Sequence, residues 1–254
     1  MFKEKYIDKK FDKIRLDILL VKLEIFESRQ KSTAEIMSGN IFLNEIKTTK
    51  SGTIVRSGST LKVKLRQHNW VSRGGQKLEH AIKVLKLNIN NKICVDIGAS
   101  TGGFTDVLLY YGAKRIFCFD VGYGQLAWKL RDNKKVVNSE KFNARFLTYN
   151  DISCNVDLVV CDVSFISVKK ILPSIIEVLK DNGAALILIK PQFETEKKFV
   201  AKGGIIKDSK IHSNVCEDIK KTIIENYHVK SVKLIESPIK GQKGNKEFFI
   251  YFKI

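Results

Sequence analysis

Little in this 254-residue sequence serves metal binding, disulfide bonding or membrane insertion. Its five cysteines (Cys94, Cys118, Cys154, Cys161, Cys216) include no C-x-x-C pair and mostly sit inside apolar runs. That pattern fits buried free thiols and argues against disulfides or a metal site. The four histidines (His68, His80, His212, His228) are scattered, so no metal is expected. Apolar runs such as Ala184–Ile189 and Phe248–Phe252 are far shorter than the roughly 20 residues that span a bilayer. The first thirteen residues are charged with no apolar block, so a cytoplasmic protein is expected. Acidic residues are also in deficit, 27 against 45 basic ones, for a net charge of +18. A polyanionic partner follows, nucleic acid before an anionic membrane surface. With 9% aromatic residues and no long basic amphipathic helix, the membrane reading is the weaker. A lysine-rich genome bias explains part of the charge but not its placement: residues 1–69 alone hold 15 basic and 8 acidic side chains. No internal repeat is present, and the length suits one large and one small domain.

What is present centres on Val95-Asp96-Ile97-Gly98-Ala99-Ser100-Thr101-Gly102-Gly103-Phe104. Ile93, Cys94, Val95 and Ile97 suit a buried parallel strand, and the glycines past its end let backbone approach a ligand at a helix N-terminus. The spacing is not the dinucleotide fingerprint G-x-G-x-x-G, because the next glycines after Gly98 are Gly102 and Gly103. An adenosyl ligand without a pyrophosphate fits better, and a nicotinamide-dependent dehydrogenase fits worse.

Upstream, Ile14, Ile18 and Val21 share one helical face, and Ser28 caps a second helix over Arg29–Ser38. Ile41–Asn44 reads as a short strand, and Leu61, Val63 and Leu65 alternate as another. The run Arg15-Leu16-Asp17, then Ser28-Arg29, Ala34, Ile36, Gly39, Leu43-Asn44 and Gly58, resembles the S-four-type RNA-binding domain, named after a ribosomal protein, over residues 13–66. The resemblance implies that Arg15, Arg29 and Lys31 contact phosphates of structured RNA, recognised mainly by shape. Residues 67–76 read as a linker, with Trp70 packed between two domains.

From residue 77 to 254, strands alternate with helices, which predicts a doubly wound, mostly parallel α/β sheet of the Rossmann-like kind. Lys77–Leu85 is an amphipathic helix with Leu78, Ile82 and Leu85 inward, and Lys77 stands against the helix dipole. Arg115–Val121, Val136-Val137, Val156–Asp162 and Ala184–Pro191 are the next strands, with a helix over Leu172–Lys180 ended by Gly183. Asp120, 22 residues beyond Gly98, is placed to hold an adenosine ribose. Side chains at the carboxyl ends of parallel strands share one crevice, so Asp96, Asp120, Asp162 and Lys190 should converge. An amine closing an apolar strand is costly to bury without a purpose, and Asp162 is its natural ionic partner.

The stretches Gly98–Phe104, Asp120–Leu126, Asp162–Ser167, Lys190–Glu194 and Gly244–Phe249 together resemble the TlyA family over nearly the whole chain. These are bacterial rRNA ribose 2′-O-methyltransferases, also called haemolysins, that join an S-four-type domain to an FtsJ-like methyltransferase domain. The resemblance implies a catalytic Lys77-Asp162-Lys190-Glu247 tetrad and S-adenosylmethionine as cofactor. Asp96, Gly98, Ala99, Ser100, Gly102, Gly103, Phe104 and Asp120 would form the cofactor site, and rRNA within ribosomal subunits would be the partner. In that scheme Lys190 is the general base, Lys77 disfavours a second positive charge beside it, and Asp162 and Glu247 orient the amines.

Other chemistries fit less well. Amino-directed methyltransferases usually carry Asn-Pro-Pro-Tyr where this chain has Asp162-Val163-Ser164-Phe165, and Cys161 sits inside a strand rather than at a nucleophile's position. A non-catalytic RNA-binding protein and a membrane-active haemolysin remain as alternatives. Before Trp70, some relatives have Arg-Ala where this chain has His68-Asn69, which leaves a specific linker role open. Shorter family members methylate a cytidine of 23S rRNA and longer ones also modify 16S rRNA, so the end at Ile254 favours 23S.

Overall fold

Three apolar cores organise the chain, which in this computed structural model is described over residues 2–64, 70–241 and 243–254. The chain divides into two compact units, Met1–Asn69 and Trp70–Ile254. The first contains β1 (Phe2–Tyr6), β2 (Ile14–Arg15), α1 (Leu16–Lys22), α2 (Arg29–Met37), β3 (Ile41–Leu43), β4 (Ile46–Thr48), β5 (Ile54–Val55) and β6 (Thr60–Lys64). Its four-stranded antiparallel sheet has the order β1-β6-β3-β4. Leu16, Leu19, Leu20, Ile36, Ile41, Leu61 and Val63 close the core between helices and sheet. Ser28 caps α2 by accepting from the Lys31 amide at 3.2 Å. Leu61 and Val63 alternate inward as expected, whereas Leu65 lies outside the described residues. Sequence reading missed β1, because an edge strand written Lys-Glu-Lys has the charges that keep edges from pairing further. It missed β4 because the turn at Asn44 and Glu45, with φ of 49° and 67°, forms without glycine.

Asp17 is a buried charge of this unit, 2% exposed. Arg15 donates to it from Nε and Nη2 at 3.1 Å each, Arg29 from Nε at 2.7 Å, and the Ile18 amide at 3.0 Å. These donors, Arg15 foremost, hold the Asp17 carboxyl down at about 2. Two of the three cations expected to meet RNA are thus fastened to one carboxylate, and Lys31 pairs with Glu27 at 3.2 Å. The guanidiniums stay about half exposed.

The second unit contains α3 (Gly74–Leu85), β7 (Ile93–Ile97), α4 (Gly103–Tyr110), β8 (Arg115–Phe119), α5 (Trp128–Arg131), β9 (Val136–Ser139) and α6 (Tyr149–Ile152). It continues with β10 (Val156–Cys161), α7 (Leu172–Val178), β11 (Leu179–Ile189), α8 (Pro191–Glu194), α9 (Ser209–Asn226), β12 (Ser231–Glu236) and β13 (Phe248–Lys253). The seven strands run in the order β12-β13-β11-β10-β7-β8-β9, with β13 antiparallel to both neighbours and β7 through β11 parallel. Strand residues alternate between two cores. Val95, Ile97 and Phe119 pack with α7 and α9, while Cys94, Ile116 and Val160 pack with α3 and α4. The sheet is therefore doubly wound and mostly parallel. Among the described residues no helix is long and apolar enough to cross a membrane.

Two local expectations need correction. Residues 74–76, read as linker, already belong to α3, because buried Gly75 fits under Trp70; residues 67–69 lie outside the described residues. Trp70 lies edge-on to Tyr110 at 5.3 Å, and its indole N–H donates to Glu79 at 3.0 Å. Gly183 does not end α7. That helix stops at Val178, and β11 begins at Leu179 with a register break that pairs Val156 with Leu179 but Leu158 with Ala184.

The strand order reverses between β7 and β10, and there the backbones crowd: the Asp162 amide donates to Ile97 O at 2.9 Å. Gly98 has φ of +79°, and a Cβ on it would stand 2.5 Å from the Asp162 carbonyl oxygen. Gly98→Ala is expected to lose about 1–3 kcal/mol from backbone strain and this contact; an unchanged denaturation midpoint would refute the constraint. In the first unit, a carboxyl held at about 2 adds stability that is present above pH 4 and lost as pH falls toward 2. With its partners half exposed, that contribution is about 1–2 kcal/mol. Asp17→Asn should lose a comparable amount at pH 7 and flatten the acid limb of the unfolding curve, measured by urea titration between pH 2 and 7.

Candidate active site

A parallel sheet presents its carboxyl ends along one edge, and this chain loads that edge with charge. Asp120, Asp162 and Lys190 each stand one residue beyond β8, β10 and β11. Glu247 reaches the same edge from the other direction, because β13 is antiparallel and begins there. Lys77 arrives from the first turns of α3, 8% exposed. A cation there opposes the helix dipole, and its neighbours offset the cost. Lys77 Nζ lies 2.7 Å from Glu247 Oε2 and 3.8 Å from Asp162 Oδ2, while Lys190 Nζ lies 2.5 Å from Asp162 Oδ1. Two ammoniums thus alternate with two carboxylates, an arrangement that makes burial of all four affordable. Lys190 also donates to Ser164 Oγ at 2.7 Å.

These four side chains share the wall of a 670 Å³ cavity with the glycine loop. Gly98, Ala99, Ser100, Gly103 and Phe104 line it too. Gly103 is required for space: a Cβ there would stand 2.9 Å from the Gly75 amide nitrogen, where α4 meets α3. Asp96, Gly102 and Asp120 stand behind the lining rather than in it. Gly102 abuts Leu126 and Leu130. Asp120 shapes the loop by accepting from the amides of Ser100 and Gly122, each at 2.7 Å. Asp96 is fully buried; its Oδ2 accepts from Thr105 Oγ1 at 2.6 Å and its Oδ1 has no hydrogen-bond partner. Burial, partly countered by Thr105, pushes the Asp96 carboxyl up to about 7.

Cys161 is fully buried, and desolvation raises its thiol far above the ordinary range, so it offers no thiolate nucleophile. Sequence reading passed over Ser164 and Asn245. Asn245, 2% exposed, accepts from the Ile206 amide at 2.9 Å and donates to Gly204 O at 2.7 Å. It thereby ties the Lys202–Ile206 loop to the segment leading into Glu247. Both residues sit in quoted motifs, but a lone hydroxyl or amide has no periodicity to flag it. Among the described residues, no three metal-ligating side chains gather.

Residues 70–254 match the FtsJ-like methyltransferase family. The 16S/23S rRNA (cytidine-2′-O)-methyltransferase TlyA of Mycobacterium tuberculosis is 38% identical over 94% of this chain and 89% of its own length. The 23S rRNA (cytidine-2′-O)-methyltransferase TlyA of Campylobacter jejuni is 36% identical over 76% of this chain and 74% of its own. A solved structure from Streptococcus thermophilus that bears the name haemolysin superposes with a TM-score of 0.72 at 38% identity, covering 96% of this chain and 89% of that one. With the family match spanning the whole second unit and relatives aligned along most of its length, the chain belongs to the TlyA family of FtsJ-like methyltransferases.

Proposed function

We propose that the protein transfers a methyl group from S-adenosylmethionine to the ribose 2′-hydroxyl of a cytidine in rRNA. The observation that carries this reading is the Lys77-Asp162-Lys190-Glu247 cluster on the wall of the cavity that the glycine loop also lines. When bound, S-adenosylmethionine supplies an electrophilic methyl group. Gly98, Ala99, Ser100, Gly103 and Phe104 would hold it, with Gly102 and Asp120 setting the loop's shape. Asp96, fully buried behind the lining, would order the strand end beneath the loop rather than touch the cofactor.

A ribose hydroxyl is a weak nucleophile and must lose its proton as it attacks. Lys190 Nζ, entering the step as the neutral amine after giving one proton to solvent, takes the hydroxyl proton. Asp162 balances the charge then formed, and Glu247 holds Lys77 beside them. Holding hydroxyl and base in line accounts for most of the acceleration such a site offers. Phe165, 89% exposed on the cavity lining, presents a ring face that fits an unstacked base. In the first unit Arg15, Arg29 and Lys31 would meet RNA phosphates, the two arginines held in register by Asp17. Both named methyltransferase relatives include 23S rRNA in their specificity, so 23S in the large subunit is the favoured target. Ribosomal subunits as substrate place the protein in the cytoplasm.

Incubating separate ribosomal subunits with the protein and isotopically labelled S-adenosylmethionine, followed by mass spectrometry of the digested rRNA, tests this. Labelled 2′-O-methylcytidine is expected in 23S rRNA; label confined to 16S rRNA or to a base would overturn the assignment. Lys190→Ala should lower transfer at least ~100-fold with cofactor affinity intact, and normal transfer would remove Lys190 from its role. Asp120→Ala should weaken cofactor binding by about 10–100-fold in calorimetry, the range of a charge-assisted hydrogen bond; wild-type affinity would dismiss Asp120 from the cofactor site.

A further inference from the structure

We propose that Ser164 is a positioning residue for methyl transfer: its hydroxyl fixes rotation of the Lys190 amine so that the amine's lone pair faces the cavity. The inference rests on the reading of Lys190 as the base. Two groups lie against that amine, Asp162 Oδ1 at 2.5 Å and Ser164 Oγ at 2.7 Å, and they are not equivalent. Asp162 Oδ1 meets the amine as the countercharge of an ion pair, whereas Ser164 Oγ is a neutral acceptor of a hydrogen bond from Lys190 Nζ. Coulomb attraction depends on distance and hardly on how the amine is turned about Cε–Nζ. A hydrogen bond weakens steeply away from its line. Charge balance is therefore Asp162's part, and orientation is Ser164's.

The geometry of an amine shows what that orientation does. A neutral amine carries two N–H bonds and one lone pair in tetrahedral directions around nitrogen. With one N–H on Ser164 Oγ and the second on the carboxylate's side, the lone pair faces the cavity that all three residues line. During transfer the ribose O–H bond breaks, an N–H bond forms along the lone pair, and the O–H electron pair stays on oxygen. The first two N–H bonds keep their places, so the step needs no reorganisation of the amine.

Ser164 is itself held in place. Phe165, the next residue, has φ of +66°, a left-handed conformation that costs roughly 1–2 kcal/mol outside glycine and persists only where surrounding contacts impose it. Those contacts come from α8, which starts directly after Lys190. Glu194 accepts from Ser167 Oγ at 2.5 Å and from the Val168 amide at 2.8 Å, and the Phe193 ring lies 4.9 Å from that of Phe165. The serine loop and the lysine segment are thus joined at both ends, and the Ser164–Lys190 bond closes the circuit between them. A serine serving only as solvated surface has no use for such fastening.

The test compares the full-length wild type with Ser164→Ala, Ser164→Thr and Lys190→Ala on bacterial large ribosomal subunits lacking the modification. Kinetic constants, cofactor affinity by calorimetry and ¹⁵N-lysine NMR of the side-chain nitrogens are read in parallel. Ser164→Ala should lower kcat about 10–100-fold, the scale of a misdirected reacting group, with KM for the subunits and cofactor affinity within about twofold. Ser164→Thr, which keeps the hydroxyl, should recover most of the loss. The Nζ signal that disappears in Lys190→Ala should be a slowly exchanging one in wild type and Ser164→Thr, and broadened in Ser164→Ala. Wild-type kcat in Ser164→Ala beside an inactive Lys190→Ala would overturn the role of Ser164 and leave Lys190 standing. An active Lys190→Ala would overturn the reading of the base and this inference with it. A threonine variant as slow as the alanine one would show that space, not the hydroxyl, matters, and would overturn the inference alone.

Discussion

Burying an ammonium in a protein costs several kcal/mol unless a countercharge comes with it, and the second unit buries two. Lys77 and Lys190 are each 8% exposed, and the carboxylates beside them come from strands far apart in the sequence. The pairing can be met only if β10, β11 and β13 end on one edge with α3 above it. A fold that satisfied the apolar pattern but left one carboxylate elsewhere would strand a charge. Packing and electrostatics therefore select the same arrangement, and the site is a condition of the fold as well as its product.

The two units use buried carboxylates in opposite ways. Asp17 is surrounded by cationic and amide donors and is held down at about 2, a permanent anion whose work is to aim two guanidiniums. Asp96 lies fully buried with Thr105 as its hydroxyl donor, and burial, reinforced by the nearby Asp162 and Asp120, pushes it up to about 7. Its charge is therefore poised near neutral pH, whereas that of Asp17 is fixed.

Much of this was readable in order along the chain. Period and punctuation revealed every strand of the parallel core, because strands buried on both faces are written as unbroken apolar runs. Asp120, Asp162 and Lys190 stood out for the same reason, as charges at the ends of such runs. What stayed hidden were features set by neighbours distant in sequence. β1 carries its register in pairing with β6 and not in hydropathy. Asn182, at φ of +64°, turns the chain just past the helix that sequence carried to Lys180, where the chain already runs in β11. Ser164 and Asn245 engage through one and two side-chain hydrogen bonds respectively, and nothing local distinguishes them from surface polar residues. The withdrawal of Arg15 and Arg29 onto Asp17 was invisible as well, since separations of two and twelve residues say nothing of a shared salt bridge.

The reversed direction of β13 has a temporal side. β13 lies between β11 and β12, so the strand made earlier, β12, is held in the sheet only through the one made later. Glu247 enters with that strand. A nascent chain halted before residue 247 carries Lys77 with its nearer countercharge missing and an open sheet edge at β11. Vectorial synthesis thus leaves the charge cluster unbalanced until β13 inserts, and completion of the sheet coincides with completion of the site.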